Sequence, residues 1–545
     1  MHYKNTFFLS CALATSSLIV SCEGQLPQEG SEGTDSIVDA PSRPITQTHY
    51  LKASNTDAGD QFGVGGVLEG NAVTLSSDGT TLAVGATMEE SGTVRPDNDQ
   101  DDNAVYGAGA VYIFTRNENQ WSQQAYIKAS NPGLGDNFGY AIALSENGNT
   151  MAVSAHFESS SSTGVDSDGN DDGIPQAGAV YIFVRSGSSW TQEAYVKASN
   201  TGEAAQGDAF GDGDQFGTAV ALNASGDFLA VGAIGEDSSA AGINGDESDN
   251  SATSAGAAYL FAREKGSWSQ KAYVKPSNPG AGDLFGYSVS LDASGNTLAV
   301  SSFDEDGSPA GTNDYQDDEI FGTGAVYVFN HEGENWSQVA YLKPTNLERN
   351  DAFGAALVLS DAGDLLVATS LDEDSMTTGV GSTPTDDWES DTSTGAVYAF
   401  TLNEETWSQQ AYIKASNSGH EDSFGSRLAL SGDGVTLAVG AQLEDSNSTG
   451  INGNEENNDA QQAGAVYLFA RNDDSWLQRA YIKGNNTEAF DEFGGAIALS
   501  GNGETLVVGA HGEDSAARGV GGDQADNSAF SSGAVYVFLN QIQGP

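Results

Sequence analysis

Two acidic residues recur at fixed places along this 545-residue chain, and carboxylates repeated at a constant spacing are what a hard cation such as Ca2+ needs. An Asp stands two residues before each of seven Phe-Gly pairs: Asp60, Asp136, Asp214, Asp283, Asp351, Asp422 and Asp491. A Glu follows an apolar run in every repeat: Glu89, Glu158, Glu236, Glu305, Glu373, Glu444 and Glu513. Between them lie acidic stretches with side-chain oxygens at alternate positions, as in the first part of a Ca2+ loop. The fullest is Asp166, Asp168, Asn170 and Asp172; shorter ones are Asn244, Asp246 and Asp249, then Asp523 and Asp526, then Asp97, Asp99 and Asp101. Ca2+ is therefore the candidate cofactor. The same residue types also cap backbone N–H groups in tight turns, and the sequence leaves both roles open.

Catalytic chemistry finds little to work with. His156 and His511 occupy equivalent places, but the other repeats carry Thr87, Ile234, Phe303, Leu371 and Gln442 there, so both histidines read as solvated loop residues. No phosphate-cradling loop precedes a helix and no transition-metal cluster is spaced for binding. Paired carboxylates would suit a glycosidase, yet among 77 acidic residues such a pair carries no information. The expectation is a protein that is not an enzyme, with a glycan-acting enzyme as the weakest alternative.

What must position these acids is a repeat. The segment Gly-Ala-[Val/Ala]-Tyr-[aliphatic]-Phe begins at Gly109, Gly178, Gly256, Gly324, Gly395, Gly464 and Gly533, with gaps of 69, 78, 68, 71, 69 and 69 residues. Each unit holds four short apolar runs, too few to bury a core alone and enough to stack on copies of itself. Strand A follows Phe-Gly, strand B reads Thr-Leu-Ala-Val-Gly-Ala, strand C is the Gly-Ala-Val-Tyr segment, and strand D carries Trp121, Trp190, Trp268, Trp336, Trp407 or Trp476. Strands B and C are apolar on successive residues, which means both faces are covered. Six Trp-bearing D strands serve seven sets of A, B and C, and the missing one matches His49-Tyr50-Leu51-Lys52-Ala53-Ser54-Asn55 at the start. The fold expected is all-β: a seven-bladed propeller of four-stranded antiparallel blades, closed when the N-terminal strand completes the last blade.

Antiparallel order then puts the B–C and D–A connections on one face, and most of the 77 acids fall in them. Seven strand D lysines (Lys52, Lys128, Lys197, Lys275, Lys343, Lys414 and Lys483) are expected to ring the edge of that face.

Phe-Gly, Leu-Ala-Val-Gly-Ala and Gly-Ala-Val-Tyr resemble the FG-GAP repeat, the unit of the propeller of integrin α subunits and of many bacterial surface proteins. The resemblance covers nearly the whole chain and implies a propeller; its integrin-type Ca2+ loop, an insertion between strands A and B, has no counterpart in the short A–B turns here. At the N-terminus, Lys4, the apolar run Phe7 to Val20 and Ile19-Val20-Ser21-Cys22 resemble a bacterial lipoprotein signal. That resemblance implies cleavage before Cys22, a lipid on its thiol, loss of Cys11 with the signal peptide at 1–21, and, with Glu23 next, placement in the outer membrane or at the cell surface. Residues 22–48 have the composition of a disordered tether, ahead of a propeller at 49–545.

A formal charge of −57 repels nucleic acid and anionic lipid, so the membrane is touched through the lipid alone. The function expected is an envelope adhesion or ligand-binding module, monomeric, taking a protein or glycan on its acidic face; an envelope scaffold or spacer without a ligand is the alternative.

Overall fold

Continuous apolar runs have only one way to bury both faces here, which is to sit between two like neighbours. In the computed structural model, which describes residues 45–65, 70–93, 100–202, 213–308, 320–333, 335–385 and 392–540, the strands form seven four-stranded antiparallel sheets arranged as a ring. Cys22, the signal and tether residues through 44, Asp97, Asp99 and most of the blade 3 insertion at 203–212 lie outside the described residues. Blade 6 shows the pattern: Phe424–Leu430, Thr436–Ala441, Ala465–Asn472 and Ser475–Ile482 are strands A to D. In blades 1, 2 and 7 strand A starts later, at Val73, Ile142 and Ala496.

The core lies between blades. Each of seven apolar clusters is shared by two consecutive sheets; the one joining blades 1 and 2 holds Val111, Ile113 and Ile127 against Val153, Tyr181 and Phe183. This is why strand B, Thr-Leu-Ala-Val-Gly-Ala at Thr81–Ala86, is buried at every residue.

The glycines of the two motifs answer to the same packing. Gly425, after Phe424, has φ +101°, a conformation side chains rarely adopt. Gly464, which opens strand C, approaches the next blade so closely that a Cβ would stand 2.2 Å from the carbonyl oxygen of Phe493. The Phe ring packs edge-on against strand C aromatics, as Phe424 does on Tyr467 at 5.3 Å.

Two devices close the ring. Thr46–Leu51 pairs with Ala534–Leu539, setting Tyr50 opposite Tyr536 and Leu51 opposite Val535, so the first strand is the fourth of blade 7. It starts three residues before His49, and Ile45 ahead of it is buried. At the A–B turns, each backbone N–H donates to the carbonyl of the equivalent residue one blade on. Ser77 donates to Glu146, and the series runs through Ala224, Ala293, Asp361, Gly432 and Gly501 back to Ser77, at 2.9 to 3.1 Å throughout. This belt of seven bonds encircles the axis.

Candidate ligand-binding face and the clusters beneath it

The recurring Glu is not on the surface. Lys and Glu residues that follow strands D and B meet inside each blade at 2.6 to 2.9 Å, and all seven pairs are buried. In blade 6, Glu444 accepts from Tyr481 Oη at 2.8 Å and Asn417 Nδ2 at 3.2 Å through Oε1, and from Lys483 Nζ at 2.8 Å and Ser446 N at 3.1 Å through Oε2. Asn417 belongs to the preceding blade, and its Oδ1 accepts from Tyr467 Oη of blade 6 at 2.5 Å. A Lys with an Asn three residues on, Lys-Ala-Ser-Asn in four of the seven blades, thus sews each blade to the next. The expectation that these lysines ring the outer edge is corrected: a strand D side chain at that register points into the blade, where only a carboxylate partner lets an ammonium remain. Burial lowers the Lys483 pKa and Glu444 raises it again.

The recurring Asp is also internal. Asp422 Oδ2 accepts from Gly419 N at 2.8 Å, and the other six aspartates cap the N–H of the equivalent residue in their D–A turns at 2.6 to 2.9 Å. All seven are buried. Burial pushes the carboxyl pKa of Asp60, Asp136 and Asp422 up to about 7 and of Asp351 and Asp491 to about 8, against the backbone bond that lowers it. A carboxyl whose folded pKa is raised binds its proton more readily folded than unfolded, so its stabilisation is present at low pH and fades as pH climbs from about 4 to about 8. His156 acts in the opposite direction below pH 6.5, because burial lowers its pKa to about 3, but it is one group against five. The melting temperature should therefore fall by at least about 5 °C between pH 6.5 and pH 8.5; a flat or rising profile by scanning calorimetry would contradict the buried caps.

His156 itself is not solvated. Its ring stacks on Tyr140 at 3.6 Å and lies 3.7 Å from Phe157, and only 4% of the residue is exposed. His511, at the same place in blade 7, stands 3.3 Å from Glu492.

The loop acids fold along the outer rim. In blades 2, 3, 5, 6 and 7 the B–C loop returns beside strand D of its own blade, as where Asp166 N donates to Tyr195 O and Lys197 N to Gly164 O, and so covers that strand's free edge. Asp166 and Asn244 accept from Tyr195 N and Tyr273 N through Oδ1. Asp168, Asp246 and Asp523 close turns onto the N–H two residues on, at Asn170, Ser248 and Ala525. Asp249 and Asp526 tie down the N–H ten residues back, at Ser239 and Ala516. Asp171, which alternate-position counting passes over, does this in blade 2 by accepting from Ser161 N, and those bonds lower its pKa to about 2. Asp172 is exposed, and Asp101 accepts from Arg518 at 3.3 Å. In blade 6 the turn-closing and tie-down places are held by Asn454 and Asn457, which make the same bonds to Glu456 N and Asn447 N. The amide oxygens make the same backbone caps as the carboxylates. Among the described residues, no three His, Cys, Asp or Glu side chains converge on one point. Chelation with EDTA should leave the melting temperature within about 1 °C, since stabilisation by a ligand needs a site that binds it.

A profile of the FG-GAP repeat matches residues 121–183, 268–329, 407–469 and 476–538. Four segments of the chain therefore match the FG-GAP repeat. Each match runs from the Trp of one strand D to the end of strand C in the next blade, so the FG-GAP unit is offset from the blade by one strand. That offset obliges the N-terminal strand to finish the last FG-GAP blade. No curated protein matches the chain. Among solved structures, a putative 6-phosphogluconolactonase from Bacteroides uniformis ATCC 8492 aligns at 11% identity and TM-score 0.42 over 76% of this chain and 85% of its own. The periplasmic gluconolactonase of Pseudomonas aeruginosa aligns at 12% identity and TM-score 0.42 over 82% and 98%. Likeness at that level has no bearing on what this chain does.

Proposed function

We propose that this is a non-enzymatic, lipid-anchored module of the bacterial cell envelope that binds a protein or glycan on the face bearing its B–C and D–A loops. One observation carries the reading. Of ten exposed large apolar side chains among the described residues, six lie on the turns of that face, Tyr106, Leu134, Phe321, Met376, Phe490 and Phe530, while Val380 and Val520 pair with strand D on the rim. Apolar side chains gathered on one face mark an interaction surface, and loops on a rigid ring can vary without cost to the fold. Phe490, Phe530, Tyr106 and Leu134 occupy consecutive blades from the 6–7 junction to the 1–2 junction, and form an arc. The arc sits in an acidic field, because seven of the lysines are spent inside the blades and Arg349 and Arg518 are the only described Lys or Arg on these loops.

Changing Tyr106, Leu134, Phe490 and Phe530 together to Ser should lower binding at least tenfold on a glycan array or a panel of immobilised surface proteins, with an unchanged melting temperature. Wild-type protein that binds nothing on either support would favour the envelope spacer.

A further inference from the structure

Phe321, Phe530 and Tyr106 hold one place in the repeat, three residues before the glycines that open strand C at Gly324, Gly533 and Gly109. At each place the carbonyl accepts from a D–A turn across the blade junction: Asn350 N donates to Phe321 O at 3.0 Å, Gly59 N to Phe530 O at 2.8 Å and Gly135 N to Tyr106 O at 2.9 Å. The residue before that donor is the one placed to cover the ring. In blade 4 it is Arg349, whose guanidinium lies 5.7 Å over the Phe321 ring. For Phe530 it is Ala58, and for Tyr106 it is Leu134.

The chain thus stacks an arginine on one of three equivalent rings and leaves two without one. Among the described residues, Arg349 and Arg518 are the cations of these loops, and Arg518 is held by Asp101 at 3.3 Å and Asp57 at 3.9 Å. Those two carboxylates keep 69% and 40% of their side chains exposed. Phe490, at the neighbouring junction, adds a third exposed ring. It holds the place of Gly59, Gly135 and Gly282 at φ +69°, a conformation unfavourable for a bulky side chain, and exposed Glu488 stands two residues before it. Exposed aromatic faces among unspent carboxylates are what a cationic side chain with a flat surface needs.

We propose that this arc takes an arginine-bearing polypeptide segment, its guanidinium groups stacking on Phe530, Tyr106 and Phe490 as Arg349 stacks on Phe321. The inference rests on the reading of the loop face as the binding face and names what it binds. Arginine is favoured over lysine because a planar, weakly hydrated guanidinium stacks on a ring, whereas an ammonium holds its water. A neutral glycan would leave the surrounding charge unmatched.

The test is fluorescence anisotropy with the full chain at pH 7 and 150 mM NaCl, using labelled nona-arginine and nona-lysine as probes. A chain of charge −57 attracts both, so the difference between them is what decides. Nona-arginine should bind about tenfold more tightly than nona-lysine, and Tyr106→Ser, Phe490→Ser and Phe530→Ser together should remove most of that margin with no change in net charge. Ala58→Arg gives Phe530 a cation of the chain's own, as in blade 4, and should weaken nona-arginine about fivefold. Ala281→Arg makes the same change of charge at the junction where Thr253 stands in place of an aromatic residue, and should leave nona-arginine within about 1.5-fold. Equal affinity for the two peptides, or equal effects of Ala58→Arg and Ala281→Arg, overturns the proposal. If the peptides bind alike while the serine changes still abolish capture on the glycan array or the protein panel, the arginine partner is overturned and the binding face stands; failure on every support overturns both.

Discussion

A chain that begins at residue 56 should be recovered as oligomers or aggregate, without a folded monomer, by size-exclusion chromatography with light scattering. The deletion removes Thr46–Leu51, and with it the whole fourth strand of blade 7. Tyr50 and Leu51 are buried, and the loss of two such side chains costs about 1.5–3 kcal/mol each. Glu513 loses Lys52 at 2.9 Å and Tyr50 Oη at 2.6 Å, and a buried carboxylate left without its cation costs about 3–5 kcal/mol more. Asn55 no longer links Glu89 to Tyr112 Oη, so the first blade loses its tie to the last. Together these approach the whole of a typical folding free energy of about 5–15 kcal/mol. The exposed backbone of Ala534–Leu539 then becomes an edge that pairs with other chains. A synthetic peptide of residues 45–56 added in trans should restore monomer, because it supplies the missing strand and the Lys52 cation. A truncated chain that stays monomeric with an unchanged melting curve would show that the N-terminal strand does not close the ring.

Ring closure was legible because counting decides it: seven C strands, six Trp-bearing D strands and a D-like segment at the start leave one arrangement. The periodic acids were legible as positions and not as roles. Whether Glu444 faces water or Lys483 depends on the direction of side chains at the ends of two strands, and periodicity reports which residues are equivalent without reporting what they touch. The recurring Lys carries a signal of its own, since a Lys as regular as the Glu suggests a partner and not a rim. In the B–C loops, Asn454 and Asn457 at the places of Asp246 and Asp249 were equally visible, and they argue for caps.

Glu444→Ala should destabilise the protein by about 3–5 kcal/mol in denaturant unfolding, far beyond any single change among the exposed loop acids. Four donors converge on this carboxylate, and two of them, Lys483 Nζ and Tyr481 Oη, belong to buried side chains that have no water to turn to once it is gone. The charge is the larger part. Glu444→Gln keeps an acceptor for Tyr481 and Asn417 yet still strands the ammonium, so it should fall between wild type and Glu444→Ala. Lys483→Met paired with Glu444→Leu removes both ions, and a buried pair replaced by apolar groups is often nearly neutral. The double variant should therefore recover at least about 1 kcal/mol relative to Glu444→Ala, a coupling that a double-mutant cycle isolates. Recovery stays incomplete for a reason specific to this ring. Asn417 comes from the preceding blade, and its bonds to both Glu444 and Tyr467 cross the interface, so an apolar pair in blade 6 cannot replace the seam to blade 5. If Glu444→Ala and the double variant were equally unstable, the cost would lie in the seam and not in the stranded charge; if neither moved the transition by 1 kcal/mol, the cluster would contribute nothing to holding the blades together.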